Sequence, residues 1–191
     1  TVLNWGESSV GSWSIGVFDI ERGEVGTFLD WGITLIGRPD TTNDVYVYTN
    51  EYPDVVARDP ARGVLRDSDG GLETINFGAL GLDSRVDLSG RTASNLNGAP
   101  FAVSAGVRVG TVIAGTGDDA LIAGTLPVTF RGGLGDDYLG GGPGGDVLVG
   151  GDGADLMTGG SGDDWLEPGR GNDVLQGNDG LDRIRFEGLK G

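Results

Sequence analysis

Hydrophobic and polar positions repeat every nine residues between Ala114 and Arg185. Cut at that period, the segment reads AGTGDDALI, AGTLPVTFR, GGLGDDYLG, GGPGGDVLV, GGDGADLMT, GGSGDDWLE, PGRGNDVLQ and GNDGLDRIR, and the register never slips over these eight units. The eighth position is always large and apolar: Leu121, Phe130, Leu139, Leu148, Met157, Leu166, Leu175 and Ile184. Alternation around that position favours a short strand whose eighth side chain faces inward. A fixed period of this length is typical of a solenoid of stacked coils.

The other half of each unit has its own pattern. Position six is aspartate in seven units and Val128 in the second: Asp119, Asp137, Asp146, Asp155, Asp164, Asp173 and Asp182. Glycine occupies most of positions two and four, and twelve of these glycines are candidate carbonyl ligands: Gly115, Gly117, Gly133, Gly135, Gly142, Gly144, Gly151, Gly153, Gly160, Gly162, Gly169 and Gly171. Glycine allows a sharp turn and a close approach of an ion or another backbone. These positions are therefore predicted to form loops.

The two halves together predict a roll with metal sites. Two units would make one coil, so that like loops stack between one unit and the next but one, about 4.8 Å apart. A hard cation between two loops would receive aspartate oxygens and the carbonyls of the glycines named above, which suits Ca²⁺ better than Mg²⁺. Transition metals are disfavoured because the chain has no histidine and no cysteine.

The number of sites follows from the stacking. Eight units in two rows leave six gaps, and five of them have aspartate on both sides. The sixth gap lies between the Val128 unit and the Asp146 unit, and it is predicted to be empty or weakly occupied. We therefore expect about five calcium ions. In unit eight, Asn178 replaces a glycine, and asparagine tolerates the left-handed region that the turn needs.

The residues before the repeats are predicted to be β-rich. Residues 1–38 alternate as two strands around a glycine turn, and residues 38–43 (RPDTTN) form a polar boundary. Tyr46 and Tyr48 should share one face of the next strand, opposite Val45 and Val47. Residues 55–64 are expected to form turns, and residues 70–113 to form short strands of a parallel or mixed layer that runs into the repeats. The predicted class is all-β, a right-handed parallel β-roll, with domains at 1–38, 39–113 and 114–191.

Composition excludes several classes of function. The formal net charge is −16, from 29 acidic and 13 basic side chains, so a nucleic-acid partner is not expected. The lack of histidine and cysteine removes the common catalytic triads and zinc sites. No apolar run approaches the ~20 residues of a membrane span. The chain is therefore predicted to be non-catalytic.

Other readings of single residues stay open. An isolated aspartate in a glycine-rich stretch is usually a turn residue, and this reading is favoured for Asp67 and Asp69, which could otherwise bind an ion. Tyr138 and Trp165 should point outward, where Trp165 could contact a sugar. Phe186 and Leu189 are candidates to cap the open end of the roll.

The segment 64–185 resembles the C-terminal domain of serralysin-type proteases and, more broadly, RTX proteins secreted by type I systems. Its motifs are Asp69-Gly70-Gly71-Leu72-Glu73-Thr74-Ile75-Asn76-Phe77, then Arg85-Val86-Asp87-Leu88, then Gly110-Thr111-Val112-Ile113-Ala114-Gly115-Thr116-Gly117-Asp118-Asp119. The resemblance implies calcium binding, a secreted, extracellular location and export by type I machinery. The histidines of the serralysin zinc site have no counterpart here.

Residues 1–38 resemble the C-terminal end of the P domain, or Homo B domain, of kexin-like convertases. The residues that carry this likeness are Gly11, Trp13, Ile15, Val17 and Asp19, followed by Trp31, Ile33 and Leu35. The turn has Glu24-Val25-Gly26 where the family usually has Asp-Thr-Gly. The resemblance implies an upstream secreted serine protease, whose catalytic residues would lie before Thr1. The competing class is an extracellular carbohydrate-binding or adhesion module, against which the lack of an aromatic or basic stripe weighs.

Overall fold

The computed structural model describes residues 43–67 and 70–186. The predicted N-terminal hairpin, Asp69 and Leu189 lie outside these residues. One helix, α1 (Tyr52–Arg58), and one 3-10 turn (Pro60–Gly63) precede a series of strands. The strands are β1 (Val45–Val47), β2 (Val64–Leu65), β3 (Glu73–Asn76), β4 (Arg85–Asp87), β5 (Ser94–Leu96), β6 (Ala99–Val103), β7 (Val109–Ile113), β8 (Ala120–Ile122), β9 (Thr129–Leu134), β10 (Tyr138–Pro143), β11 (Val147–Asp152), β12 (Leu156–Ser161), β13 (Trp165–Arg170), β14 (Val174–Asp179) and β15 (Arg183–Ile184).

The strands alternate between two sheets, as stacked coils require. The first sheet has the order β1-β3-β7-β9-β11-β13-β15, and the second has the order β14-β12-β10-β8-β4-β5-β6-β2. Strand neighbours within the repeats are parallel, and Leu139 pairs with Met157 while Leu148 pairs with Leu166. Each pair is two units apart, so two nonapeptides form one coil. The predicted β-roll, with about four turns in the repeats, is confirmed.

The inward side chains form two columns between the sheets. Position eight is fully buried in units one to six, where Leu121, Phe130, Leu139, Leu148, Met157 and Leu166 each have 0% exposure. The columns continue upstream, because Val112 pairs with Phe130 and Val86 pairs with Leu121. Residues before the repeats therefore build coils on the same core. This confirms the predicted layer that runs into the roll.

The strands in the roll are longer than the sequence suggested. Each full strand has six residues and continues from position seven through the glycine pair of the next unit, as in Tyr138–Pro143. Gly142 pairs with Gly160 in the same ladder that joins Tyr138 to Leu156. Without side chains, the glycine segments of successive coils can come as close as strands do. The loop is thus confined to about three residues.

Gly151 shows why position two needs glycine. Its φ is +132°, and a Cβ there would overlap the carbonyl oxygen of Gly133 in the preceding coil. Asn178 occupies the corresponding position in unit eight with a φ of +71°. The prediction that asparagine is tolerated at this turn is confirmed.

The segment predicted to consist of turns contains helix α1, so that prediction was wrong. Pro53 stands at the first helical turn, Asp54 lies in the first turn and Arg58 in the last, which suits the helix dipole. Tyr52 and Val56, four residues apart, are both buried. The Tyr52 hydroxyl donates to the Pro100 carbonyl at 2.8 Å, so the helix packs on β6.

The upstream and downstream ends of the roll differ. Strands β5 and β6 fold back antiparallel beside β4, and they cover the upstream end together with α1. At the downstream end, Ile184 is 49% exposed and Phe186 is 69% exposed. Phe186 therefore does not cap the roll, contrary to the prediction, because its side chain lies in solvent and not over the last coil.

We predict that Gly151→Ala destabilises the roll by more than about 2 kcal/mol, because a side chain there combines an unfavourable φ with overlap of the next backbone. The matched control is Gly140→Ala, where a Cβ would meet the Tyr138 side chain no closer than 3.2 Å. Denaturant unfolding in excess calcium measures both. Equal stability of the two variants would contradict this account of the stacked glycines.

Candidate metal centre

The position-six aspartates lie in two rows, one along each edge of the roll. Asp119, Asp137, Asp155 and Asp173 belong to one row, and Asp146, Asp164 and Asp182 to the other. The first five of these aspartates in chain order are almost fully buried, with exposures of 1–2%: Asp119, Asp137, Asp146, Asp155 and Asp164. Carboxylates at that depth must be neutralised, protonated or bonded. The two rows therefore contain the buried carboxylates for which a neutralising partner must be found.

One oxygen of each carboxylate joins its coil to the preceding one. The Asp119 amide donates to Oδ1 of Asp137 at 2.8 Å, and the Asp137 amide donates to Oδ1 of Asp155 at 2.9 Å. The other row has the same bond from the Asp146 amide to Oδ1 of Asp164 at 2.8 Å. Oδ1 therefore links successive loops and helps to fix the distance between them.

The second oxygen has no such partner in four of the aspartates. Oδ2 of Asp137, Asp146, Asp155 and Asp164 is buried and accepts no hydrogen bond. Each of these oxygens faces the position-one residue of its own unit, so that a Cβ on Gly150 would overlap Oδ2 of Asp155. A buried carboxylate oxygen without a donor costs several kcal/mol unless a cation faces it. The four oxygens thus mark places where a cation fits.

Backbone carbonyls line the same gaps. A Cβ on Gly150 would also overlap the Pro168 carbonyl of the following coil, and one on Gly153 would overlap the Gly135 carbonyl. Contacts at positions two and four show that the backbones of successive coils approach closely in both rows, and every glycine predicted as a ligand lies at one of these positions: Gly115, Gly117, Gly133, Gly135, Gly142, Gly144, Gly151, Gly153, Gly160, Gly162, Gly169 and Gly171. Carboxylate plus carbonyl oxygens is a donor set that suits Ca²⁺. Within residues 43–67 and 70–186 no three acidic side chains cluster, so carbonyls must supply much of any coordination.

Two gaps depart from this pattern, the one between Asp119 and Asp137 and the one between Val128 and Asp146. In unit one, both oxygens of Asp119 are bonded, Oδ1 by the Ser84 amide at 2.7 Å and Oδ2 by the Gly115 amide at 3.1 Å. In unit two, Val128 provides no carboxylate, and the Pro127 ring lies 3.0 Å from the Cβ position of Gly144. The Val128 amide still donates to Oδ1 of Asp146 at 2.8 Å. The loops therefore still stack in the Val128 gap, although unit two has no carboxylate that could bind a metal there.

Burial shifts the titration of the same aspartates. Desolvation is the largest cause, and it raises the pKa of Asp137 and Asp146 to about 7 and that of Asp155 and Asp119 to about 6. Neighbouring carboxylates in the row add to the rise, as Asp119 and Asp155 do for Asp137. A bound cation would favour the ionised form and reverse this direction.

The bond pattern also extends into residues that the repeat pattern did not include. The Asp44 amide donates to Oε2 of Glu73 at 2.7 Å, just as position-six amides donate in the repeats. Ser84 takes the same place before Asp119. The short patterns Asp44-Val45-Tyr46-Val47 and Glu73-Thr74-Ile75-Asn76 share the acid-x-apolar-x order of the repeats and could have identified these coils. By contrast, Asp67 accepts from the Gly70 amide at 2.9 Å, which matches its expected turn role.

A second set of carboxylates lies at position five of the repeat. Oδ1 of Asp118 accepts from the Asp136 amide at 2.9 Å, and Oδ1 of Asp163 accepts from the Leu181 amide at 2.9 Å. These side chains are more exposed than those of position six. They join successive loops on the outer side, where water can satisfy the other oxygen. The repeat pattern did not single them out because position five also holds glycine, alanine and asparagine.

Comparison with known proteins agrees with the donor set. A family model described as the RTX calcium-binding nonapeptide repeat, in four copies, matches residues 113–148, 140–175 and 158–188. These overlapping matches cover the roll and stop short of the upstream coils. A search of curated proteins finds no match to the chain. Residues 113–188 thus form a calcium-binding repeat region, and its described part, residues 113–186, has a β-roll fold.

We predict that the metal-free roll is more stable at acid than at neutral pH. The folded-state pKa of Asp137 and Asp146 is about 7, above the ordinary 3.8, so the folded chain holds protons that the unfolded chain has lost. Their contribution is therefore fully present below about pH 4 and disappears as pH rises through about 7. Circular dichroism of the calcium-stripped chain across this range provides the measurement.

The control for this prediction is the same titration in excess calcium. Calcium needs ionised ligands, so apparent affinity should rise with pH over the interval in which the metal-free roll loses order. Metal-free structure that increases from pH about 5 to 8 would show that these carboxylates are not buried in the folded state.

Proposed function

We propose that the calcium-binding repeat region folds on calcium and forms the C-terminal, non-catalytic part of a secreted protein. The observation that carries this proposal is the set of four buried Oδ2 atoms without partners, those of Asp137, Asp146, Asp155 and Asp164. They lie in gaps lined by carbonyl oxygens, where a divalent cation supplies the missing positive charge. Asp119, Asp173 and Asp182 complete the proposed carboxylate ligands, together with the carbonyls of the glycines at positions two and four.

Charge explains why folding should depend on the ion. Residues 114–167 carry ten carboxylates and a single arginine, within a chain of net charge −16. Coil stacking brings the position-six groups to neighbouring strands, about 4.8 Å apart. Without a cation they repel each other or must bind protons, and either lowers the stability of the roll. Ions that bind only the folded form stabilise it by mass action.

We propose about five ions, one for each gap with aspartate on both sides. Four of these gaps contain an unpartnered Oδ2, and the fifth contains Asp119, whose Oδ2 is held by the Gly115 amide. The Val128 gap lacks a carboxylate on its upstream side, which supports the proposal that it binds weakly or not at all.

This dependence suits export. A chain that stays disordered at low calcium can pass through a narrow type I channel, and extracellular calcium can then order it. Extracellular calcium modules bind with Kd of about 10⁻⁴–10⁻³ M. The proposed protease parent depends on the resemblance of residues 1–38 to a P domain, and those residues lie outside the described part. The described helix α1 is too short and too polar to cross a membrane.

The alternative, a carbohydrate-binding or adhesion module, has less support. Trp165 is 39% exposed on the first sheet and Tyr138 is 37% exposed on the second, so both point outward as predicted. They lie on different sheets, and the strand neighbours of Trp165 are Val147 and Arg183. Among the described residues, no aromatic side chains line up along one face, as a platform for successive sugar rings would need.

We predict that Asp155→Asn weakens calcium-dependent folding. Asp155 borders two of the five gaps, and each site that is lost should remove about 1.4–2.7 kcal/mol of stabilisation when free calcium is 10–100 times the Kd. The matched control is Asp152→Asn in the same unit, because Asp152 is exposed and only pairs with Arg170 at 3.7 Å. Calcium titrations followed by circular dichroism, starting in a chelator, compare the midpoints.

The outcomes separate the role of the two carboxylates. A higher calcium midpoint for Asp155→Asn, with Asp152→Asn close to the parent chain, is expected. Equal midpoints would mean that position six is not special. A parent chain that is equally ordered in chelator and in calcium would refute calcium-driven folding.

We predict that a sixth strong site can be built in unit two. Units one and two both begin Ala-Gly-Thr, and they differ at the next three positions. Replacing Leu126, Pro127 and Val128 by Gly, Asp and Asp gives unit two the loop sequence that unit one has. The same change removes the Pro127 ring beside Gly144. Native mass spectrometry or calorimetry should then count one more ion. An unchanged count, in a folded variant, would contradict the assignment of sites to gaps.

A further inference from the structure

Carboxylates at position five form a ladder along one edge of the roll, the edge that carries the loops of units one, three, five and seven. We call this the first edge, and the edge with the loops of the even units the second edge. The Asp118 amide donates to Oδ1 of Asp83 at 3.0 Å, and the Asp136 amide donates to Oδ1 of Asp118 at 2.9 Å. The Ala154 amide donates to Oδ1 of Asp136 at 2.7 Å. Each bond thus joins one loop to the carboxylate of the preceding coil.

Each of these bonds also fixes the direction of a peptide group. The N–H of Asp136 and the carbonyl of Gly135 belong to one planar trans peptide, in which they point in opposite directions. Because the N–H points to Asp118 in the preceding coil, the Gly135 carbonyl must point to the following coil. A Cβ on Gly153 in that coil would overlap this carbonyl oxygen, which agrees with the direction. The Gly135 carbonyl is therefore aimed into the gap between units three and five.

The same relation holds for the other two gaps of the first edge. The bond to Asp83 aims the Gly117 carbonyl into the gap between units one and three. The bond to Asp136 aims the Gly153 carbonyl into the gap between units five and seven. These carbonyls, like that of Gly135, belong to position four and are among the proposed calcium ligands. Each gap with aspartate on both sides along this edge thus receives one carbonyl whose direction is held by a carboxylate.

The second edge lacks this arrangement at its two gaps with aspartate on both sides. The carbonyls of Gly144 and Gly162 point into these gaps, since a Cβ on the position-four glycine of the following unit would overlap each of them. Position five of the preceding unit, however, is Pro127 in one case and Gly145 in the other, and neither has a carboxylate. Asp163 does accept from the amide at position five of unit eight, but the peptide that it holds follows the last of the six gaps.

The bond at position five does not depend on a cation site. Asp83 and Asp118 are joined where position six of the upstream coil is Ser84, and both oxygens of Asp119 accept amide hydrogen bonds there. No buried oxygen at that place needs a cation, yet the bond has the same length as in the calcium gaps. Asp83, Asp118 and Asp136 are also exposed, unlike the position-six carboxylates. Their bonds therefore belong to the stacking of the loops.

We propose that Asp83, Asp118 and Asp136 are positioning residues that orient carbonyl ligands for calcium, so that the gaps of the first edge bind calcium more tightly than those of the second. A carbonyl that already points at the ion loses little freedom when the ion binds, and this raises affinity. The three carboxylates act through the peptide groups that they hold. The inference rests on the proposed function, because it divides the proposed calcium sites into two classes.

A calcium titration of the full chain, followed by NMR of the backbone amides, tests the inference loop by loop. The chain of 19.6 kDa is small enough for amide signals of single loops to be followed. Loops of units three, five and seven should reach their calcium-bound signals at about fivefold lower calcium than loops of units four, six and eight, which is the effect of about one hydrogen bond. Equal midpoints on the two edges would overturn the inference.

Two substitutions of Asp118 separate its hydrogen bond from its charge. Asp118→Ala removes the acceptor, whereas Asp118→Asn keeps an acceptor oxygen without the charge. Asp118→Ala should raise the midpoints of units three and five about fivefold, and Asp118→Asn should stay within about twofold of the parent chain. A purely structural role would instead shift the loops of both edges alike. Equal effects of the two substitutions would assign the role to charge and overturn the inference.

The matched control is Asp152→Ala, which removes an exposed carboxylate on the same edge. The Asp152 side chain pairs with Arg170 at 3.7 Å and is not part of the ladder. Its midpoints should match those of the parent chain. A rise as large as that of Asp118→Ala would show that any carboxylate on this edge has the effect, contrary to the inference.

Pro127→Asn tests the inference by a gain of function on the second edge. Pro127 is exposed, and the substitution adds an acceptor at position five without adding charge. The Gly145 amide can then donate to the new side chain and hold the Gly144 carbonyl toward unit six. Midpoints of units four and six should fall about fivefold, with those of the first edge unchanged. Unchanged midpoints throughout would contradict the inference, whether or not Asp118→Ala folds.

Failure of the inference and failure of the proposed function give different results. A parent chain whose loops all respond to calcium at one midpoint would retain the proposed function and lose the two classes of site. A parent chain whose loops do not respond to calcium at all would refute the proposed function, and the inference with it.

Discussion

The structure depends on the buried carboxylates of five loops, and in four of these the two oxygens of the carboxylate have different surroundings. Oδ1 of Asp155 accepts from the amide of Asp137 in the preceding coil, and Oδ2 faces a gap lined by carbonyls. The first contact fixes the stacking of loops and holds the carboxylate in place. The second leaves negative charge in a buried space. Stacking and cation demand therefore arise from the same side chain, and the demand grows with each coil added.

Glycine makes this arrangement possible, because it allows two backbones to approach where any Cβ would overlap a carbonyl oxygen. The same absence of side chains means that the loops contribute almost no apolar burial. Stability must then come from the position-eight columns and from the ions. The columns contain one buried side chain per nine residues, which is a thin core for a domain of this size. A roll of this design has little stability to spare when its carboxylates are unneutralised.

The repeat period was enough to predict the coil, the inward column and the two rows of aspartates, since each depends on spacing alone. The upstream coils were only partly predicted because their units are separated by excursions. Asp44, Glu73 and Ser84 stand at equivalent places in space, but 29 residues separate the first two and the α1 segment lies between them. Helix α1 was missed because Val55 and Val56 favour strands locally, whereas Tyr52 and Val56 bury one helical face against β6. Tertiary packing decided the outcome there.

The distribution of carboxylates along the molecule implies a direction for folding. Upstream of unit one, the places equivalent to position six hold Asp44, Glu73 and Ser84, and the core there includes Tyr46, Tyr48, Tyr52 and Phe101. Aromatic edge contacts, such as Tyr48 with Phe101 at 5.4 Å between ring centroids, stabilise these coils without a cation. The Val128 unit continues this apolar character into the first coil of the repeats. Each later coil has aspartate at both position-six places, and the last coil also loses apolar burial, since Leu175 is only partly buried and Ile184 is 49% exposed. A roll graded in this way has a metal-independent end that can serve as a template and a metal-dependent end that is ordered last. On the proposed function, calcium would extend order that begins in the upstream coils, and a loss of calcium would open the roll from the side of β14 and β15.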